Sequence, residues 1–419
     1  AHDHVTSEQW VIEAGDPNGK PRLIAAREAN VEYQATHHGD RFYIQTNADG
    51  AEDYKIVTAP VETPDRSHWR DVVPHEPGRL LLGLPLEGPA RYPLLMASGQ
   101  IVNFSWRVGL TADEAEPFHS EALGIATSLG DMRAVTLVTA AYGRSLASSG
   151  SAVDYVATVT DAMKHLDPQK HVGLLAVLSA IRCHARWLAG DLPGAMADND
   201  FALAHADKVE EVDQQTLGFA VAIWIKGLRS KVLAMMGRFD EARALAEELI
   251  SGDEAVVDTL HRLLGHGTMV DIAWGRGEAA LAEKHGAIAQ AIADKSGNPY
   301  LLVYGRAFNA LALAMNGRHS EATTLLSDTL RFARQRNAGL ENEARMLADL
   351  AWVLMHAGLP DRAEATAEEA AQAARRRGAK IWLAYAEGIT GGPESAVFKR
   401  LIDETGARLL AGLRIKPSA

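Results

Sequence analysis

Along most of this chain a helical pattern stops at a glycine and restarts a few residues later. The clearest copy runs from Met236 to Ile250. Apolar residues recur there at 239, 242, 245, 246, 249 and 250, which is helical spacing. Gly237 suits the left-handed position that follows a helix C-terminus. The same punctuation recurs at Ala189-Gly190-Asp191, Asn316-Gly317-Arg318 and Ala357-Gly358-Leu359-Pro360, with weaker copies at Gly150 and Gly275. Successive glycines lie roughly 40 residues apart, the period of stacked helix pairs. One such pair cannot bury its apolar stripe alone, so a run of them must stack into a continuous core. The expected fold is mainly α: an α-solenoid of tetratricopeptide-like helix pairs.

The spacing predicts helices over 112–129, 131–148, 151–165, 171–189, 193–207, 213–236, 239–251, 255–274, 277–295, 299–316, 319–336, 340–357, 360–377 and 379–388, and a last one near 393–411. Alanine is abundant within them; it loses no side-chain entropy in a helix and lets neighbours approach closely.

Residues 1–82 differ in kind. Short β-type runs (Trp10–Ala14, Pro21–Ala26, Val31–Ala35, Arg41–Thr46, Tyr54–Thr58) alternate with turn signals at Gly15–Gly19, His38-Gly39-Asp40 and Asn47–Gly50. This is the spacing of an antiparallel meander or propeller blade. Residues 83–98 form a linker rich in Pro and Gly, and 99–419 carry the solenoid.

The bulk properties narrow the function. A net charge of −12 argues against nucleic-acid or anionic-membrane partners, which need clustered Lys and Arg. The single cysteine, Cys183, leaves no internal disulfide and no cysteine-built zinc site, and its apolar helical setting reads as a small buried residue. The opening Ala-His-Asp-His has no basic region followed by an apolar one, so no signal peptide is expected; without a leading Met, the chain reads as processed or as a fragment. The longest unbroken apolar stretch, near Leu217–Ile225, falls short of the roughly 20 residues that span a bilayer. The expected location is the cytoplasm.

Two resemblances are carried by particular residues. Val31-Glu32-Tyr33, the run His38–Ala51, Ala59-Pro60 and Trp69 resemble the β-propeller of oligopeptidase B, a serine peptidase of the prolyl oligopeptidase family; the resemblance covers about residues 5–82. It implies a non-catalytic filter over a hydrolase domain whose nucleophile, aspartate and histidine belong downstream of such a segment. From residue 94 onward, Gln100–Leu110, Leu129-Gly130-Asp131, Ala141–Arg144, Leu217-Gly218-Phe219, Met236–Ala242, Gly339-Leu340-Glu341, Ala373–Gly378 and Glu404–Arg408 resemble the C-terminal tetratricopeptide-like region of bacterial class III adenylate cyclases. The cyclase and ATPase domains of those proteins belong upstream, where this chain has propeller-like sequence. Two partial resemblances meeting at a Pro/Gly-rich seam are also what joining two unrelated genes would produce.

The chain offers no complete catalytic set, so no enzymatic activity is expected. Gly143-Arg144-Ser145-Leu146-Ala147 lacks the closing glycine and preceding strand of a nucleophile elbow. Gly15–Pro21 is one residue short of a phosphate loop and lacks its Ser or Thr. His2, His4, His37 and His38 read as terminus and turn rather than as metal ligands, and Asp161, His165 and Asp167 as a helix end. Arg375-Arg376-Arg377 closes a helix before Gly378, where cations complement the dipole. No cofactor and no metal are expected. The expected function is a protein-interaction or regulatory module of a signalling ATPase–cyclase, binding a protein or peptide in the solenoid groove, with no nucleic acid and no membrane. The alternatives are a substrate-filter fragment of a serine oligopeptidase and the solenoid of a large transcriptional regulator. Trp106, Trp187, Trp224, Trp274, Trp352 and Trp382 are expected mostly in the core. The expected binding residues are Asn103, Trp106 and Arg107, a polar pair around an aromatic at the array's entrance.

Overall fold

In the computed structural model, residues 8–12, 19–75, 77, 95, 98–99, 101–102, 110–217, 220–253 and 257–412 are described. The chain divides into two compact units, Ala1–Ile101 and Val102–Ala419.

The first unit holds a two-stranded ribbon, β1 (Trp10–Val11) and β2 (Arg22–Leu23), and a four-stranded antiparallel meander of β3 (Tyr33–His38), β4 (Arg41–Thr46), β5 (Lys55–Pro60) and β6 (Arg70–Val73), paired in that order. Strict alternation along β4 turns Phe42, Ile44 and Thr46 inward, as the two-residue strand period requires. Phe42 and Ile44 join Ile24, Ala25, Tyr33, Val57 and Ala59 in one small core, with Trp69 against its rim. Tyr33 ties the ribbon to the meander: its hydroxyl donates to the Ala25 carbonyl at 2.7 Å and accepts from the backbone N–H of Gln9 at 2.9 Å and of Ala25 at 3.1 Å. Strand β6 was not expected. Arg70-Asp71-Val72-Val73 is an exposed edge without apolar alternation, and charge at an edge blocks further strand pairing.

The second unit is helical: α1 (Ala112–Leu129), α2 (Met132–Ser149), α3 (Ala152–Met163), α4 (Val172–Ala189), α5 (Leu192–Ala204), α6 (Glu211–Leu217), α7 (Val221–Met235), α8 (Phe239–Ser251), α9 (Thr259–Arg276), α10 (Ala279–Ser296), α11 (Pro299–Met315), α12 (His319–Arg336), α13 (Glu343–His356), α14 (Pro360–Arg377), α15 (Lys380–Gly391), α16 (Ala396–Thr405) and α17 (Arg408–Ala411). Where 213–236 was expected as one helix there are two, α6 and α7, with Ala220 extended between them; Gly218 in the gap is a poor helix former. The stretch near 393–411 likewise divides, into α16 and α17, at left-handed Gly406. The stop assigned to Gly275 belongs to Gly277 (φ +72°); Gly275 lies inside α9, facing Phe239 and Leu409.

Helix ends are set locally. Ser151, Asp131, Asp258 and Asn298 cap their helices through side-chain oxygens, and Thr111 with Glu114 forms a capping box. At Gly237 (φ +77°) the chain closes α7 with Gly237 N–H to Ala234 O and Arg238 N–H to Leu233 O, the paired bonds of a left-handed stop.

Burial alternates along the array. Helices α2, α4, α7, α9, α11, α13 and α15 are buried over most of their surface, whereas α10 buries one stripe (Ala282, His285, Gly286, Ala289, Ala293) and α14 a run of alanines (Ala363, Ala367, Ala370, Ala371, Ala373, Ala374). The first set forms an inner row and the second an outer row. The inner row winds until it meets itself. Arg377 at the end of α14 donates to the carbonyls of Ser148 (3.1 Å) and Gly150 (3.4 Å), more than two hundred residues earlier. Gly190 abuts Lys380, Ile381 and Thr405, and Gly378 abuts Val153. A cleft of about 950 Å³ runs along this seam, lined by Val153, Val156, Asp161, Arg186, Lys380 and Glu404 among others. Helix α4 is long and apolar enough to cross a bilayer, but it lies in the inner row, mostly buried by its neighbours.

Candidate functional site

The inner-row helices aim their least exposed side chains at one another, and where they converge the core is neither apolar nor plain. Arg345 on α13 is 4% exposed. Its guanidinium donates to both oxygens of Asp271 on α9, and at 3.4 Å to Asp349 one turn further along α13. Both carboxylates are 1% exposed. The guanidinium also lies over two rings, Trp382 on α15 at 5.0 Å and Phe308 on α11 at 5.4 Å. Gly267 on α9 makes room for Phe308: a Cβ there would stand 2.2 Å from the ring.

A second cation also lies against Phe308. Lys231 on α7 holds its ammonium 4.9 Å from the centroid of Phe308, 5.5 Å from that of Trp187 on α4 and 5.9 Å from that of Tyr304 on α11. Tyr300 donates to Tyr304 at 3.1 Å, and Tyr304 donates to Glu341 at 2.8 Å, a relay ending on a carboxylate that is 5% exposed. Trp274 and Tyr385 meet edge to face at 5.2 Å beside this group. His184 lies amid Tyr155, Trp187 and Trp224, with ring centroids about 6 Å away.

Burial sets the electrostatics. Desolvation lifts the Asp349 carboxyl to about 6 against the pull of Arg345, and also raises Glu341. Desolvation lowers the Lys231 ammonium to about 8, opposed by Asp271 and helped by Arg345. Burial opposes the charge on Arg345, but Asp271 and Asp349 outweigh it. Among the described residues, several buried polar atoms here have no hydrogen-bond partner: Trp187 Nε1, Trp274 Nε1, Glu341 Oε2, Asp349 Oδ1 and the Tyr385 hydroxyl. Native cores rarely leave so many such atoms close together. The arrangement gathers charge and aromatic rings in the interior of the array, where burial weakens the Lys231 ammonium while Asp271 and Asp349 hold Arg345 charged.

The expected entrance group, Asn103, Trp106 and Arg107, lies outside the described residues, as do His2, His4, the Gly15–Asn18 turn and most of the 83–98 linker. Trp187, Trp274, Trp352 and Trp382 are buried, and three of them join the axial group. Ser145 is buried inside α2, and Gly143 beside it packs under the Tyr155 ring. Cys183 is fully buried, its thiol pushed up to about 12 by desolvation. Of the arginine run, Arg375 pairs with Glu387 at 2.7 Å while Arg377 turns inward to the seam. His37 contacts the carbonyl of Gly39, and no cluster of three metal-ligating side chains occurs among the described residues. The sequence reading missed Lys231, Asp271, Arg345 and Asp349. Asp271 (Val270-Asp271-Ile272) and Asp349 (Leu347-Ala348-Asp349-Leu350-Ala351) interrupt apolar helical runs, which is the signal that could have marked them; Lys231, after Arg229-Ser230, and Arg345, two residues after Glu343, carry no such mark.

Residues 1–87 match the family described as prolyl oligopeptidase, N-terminal beta-propeller domain. Dipeptidyl aminopeptidase BI of Pseudoxanthomonas mexicana is 46% identical over 82 residues, 20% of this chain and 11% of that protein. An uncharacterized peptidase of Sinorhizobium fredii is 36% identical over 72 residues, 17% of this chain and 9% of that one. The chain thus spans about a tenth of the length of the curated relatives it matches. Among solved structures, a Rap protein complexed with competence and sporulation factor superposes with a TM-score of 0.53 at 12% identity, covering 75% of this chain and 87% of that one. At that identity the likeness is one of fold: a helical-repeat array.

Proposed function

We propose that the helical array is a non-catalytic module that recognises a peptide or protein, and that the axial face of its inner row is the recognition surface. The observation that carries this is the concentration of unpartnered buried polar atoms around Lys231 and Arg345. Buried polar atoms call for partners, and the groups of a polar ligand would supply them. The ligand named with the Rap protein of similar fold is in keeping with this reading. The resemblance of residues 94–419 to the array of cyclase-type signalling proteins is what favours reading the module as the regulatory end of a cytoplasmic signalling ATPase–cyclase. The full chain should be panned against a displayed random-peptide library. Recovered peptides should converge on one consensus, compete with one another and slow hydrogen exchange in Val221–Met235, Pro299–Met315 and Glu343–His356. Recovery without convergence, or protection confined to other helices, would refute the reading.

A second reading rests on the propeller match over residues 1–87. The first unit then derives from the substrate filter of a prolyl-oligopeptidase-type enzyme. Assay of the chain with a dibasic peptide substrate should show no turnover; hydrolysis would mean the chain carries a catalytic site.

A further inference from the structure

The axial face contains a cation for which the array supplies no counter-ion. Lys231 is 3% exposed, and among the described residues no carboxylate or other acceptor lies within hydrogen-bond or ion-pair distance of its Nζ. Asp271, which acts on it through space, is already held at both oxygens by Arg345. The faces of Trp187, Tyr304 and Phe308 attract the charge but accept no conventional hydrogen bond, so the three ammonium donors remain open. Beside them, Trp187 Nε1 is a second buried donor without an acceptor. Two open donors, one of them charged, thus belong to one group of packed side chains, with the ammonium 5.5 Å from the centroid of the ring that carries the other.

The complement of that pair is an anion with two acceptor oxygens. One ammonium among aromatic walls, with Asp271 near enough to act on it and Arg345 already committed to Asp271 and Asp349, suits one negative charge and disfavours a dianion. We infer that Lys231 and the Trp187 indole N–H anchor one carboxylate of the array's ligand, a peptide whose carboxylate enters the box of Trp187, Tyr304 and Phe308. This rests on the axial face being the recognition surface. The ammonium's proton, already loosened by burial to about 8, is held more firmly once a carboxylate is seated.

The test uses the full chain and its Lys231→Met variant, which keeps the side chain's length and removes its charge. Thermal unfolding is followed in sodium acetate and in sodium chloride at equal ionic strength. Retention is compared for two random peptide pools, one bearing carboxylates and one amidated and free of Asp and Glu. Acetate should raise the unfolding midpoint of the wild type and leave the variant unmoved. The wild type should retain the carboxylate pool about tenfold better, with that preference gone in the variant. The variant itself should unfold at the same or a higher temperature. A lower midpoint for Lys231→Met, or an unchanged preference in it, would overturn the assignment. Equal retention of both pools by the wild type would leave peptide recognition standing and remove the carboxylate anchor. An acetate effect with neither pool retained would keep the anchor for a free acid and defeat the peptide reading.

Discussion

Arg345 and Asp271 form a buried ion pair across 74 residues of sequence, joining α13 to α9 through the interior of the array. Removing one member strands the other. Asp271→Leu should lower stability by about 3–5 kcal/mol, the usual cost of an uncompensated buried charge. The triple variant Arg345→Met, Asp271→Leu, Asp349→Leu should recover most of that loss. Urea unfolding of the three proteins decides it.

Histidines make the array acid-sensitive. Desolvation lowers His119, His184, His266 and His285 to about 4. Between about 4 and 6.5 the unfolded chain therefore binds more protons than the folded one, and stability falls as pH falls through that window. Asp349, raised to about 6, acts with the opposite sign: it favours the fold as pH falls from about 6 toward 4. Glu341 and Asp213, also raised by burial, share that sign, and His356, also lowered, joins the other four histidines; five histidines against three carboxyls leave a net loss on acidification. Urea midpoints at pH 7 and 4.5 should differ, and His119→Phe, which keeps the stack on Tyr142, should narrow the difference.

The seam depends on Arg377. Arg377→Met removes its bonds to Ser148 O and Gly150 O and should cost about 1.5–3 kcal/mol, in the range for hydrogen bonds to a charged group. Amide exchange should quicken in Ser148–Val153 before it does so in Met269–Trp274. Uniform quickening would place the weak point elsewhere.

Gly267→Ala would drive a methyl into the Phe308 ring, and repacking should cost about 1–3 kcal/mol. Because Phe308 lies against both Lys231 and Arg345, peptide retention should fall with it. A stable variant with unaltered retention would count against Phe308 as a wall of the site.

In the first unit, Tyr33→Phe leaves the Ala25 carbonyl and two backbone N–H groups without the hydroxyl. The loss should be about 1–3 kcal/mol and local, seen as faster exchange at Gln9 and Ile24-Ala25 with α9 unaffected.

The helical repeat was legible because it is written in short-range terms. Glycine stops such as Gly237 and Gly358, and apolar residues every three or four positions, mark each pair locally. The five strands β1 to β5 were visible for the same reason, while β6, an exposed charged edge, carries no apolar pattern to read. The axial site is different. Lys231 meets Phe308 and Trp187, and Arg345 meets Asp271, only because the inner row winds back on itself, and no helix period encodes that winding. A lone acid in an apolar run, as at Asp271 and Asp349, was the visible trace, and in isolation it reads as an imperfection of the core.

The bond from Arg377 back to Ser148 also changes what kind of object the repeat array is. An open stack can gain or lose a pair at either end and still fold, so its length is free to drift as a gene duplicates. Here late helices bear on early ones at Gly190, Gly378 and Gly150. Inserting or deleting one pair would shift every later helix by a step, pulling Gly378 off Val153 and Arg377 off its carbonyls together. The winding counts its own repeats, and duplication within 150–377 should be tolerated far less well than in a linear array.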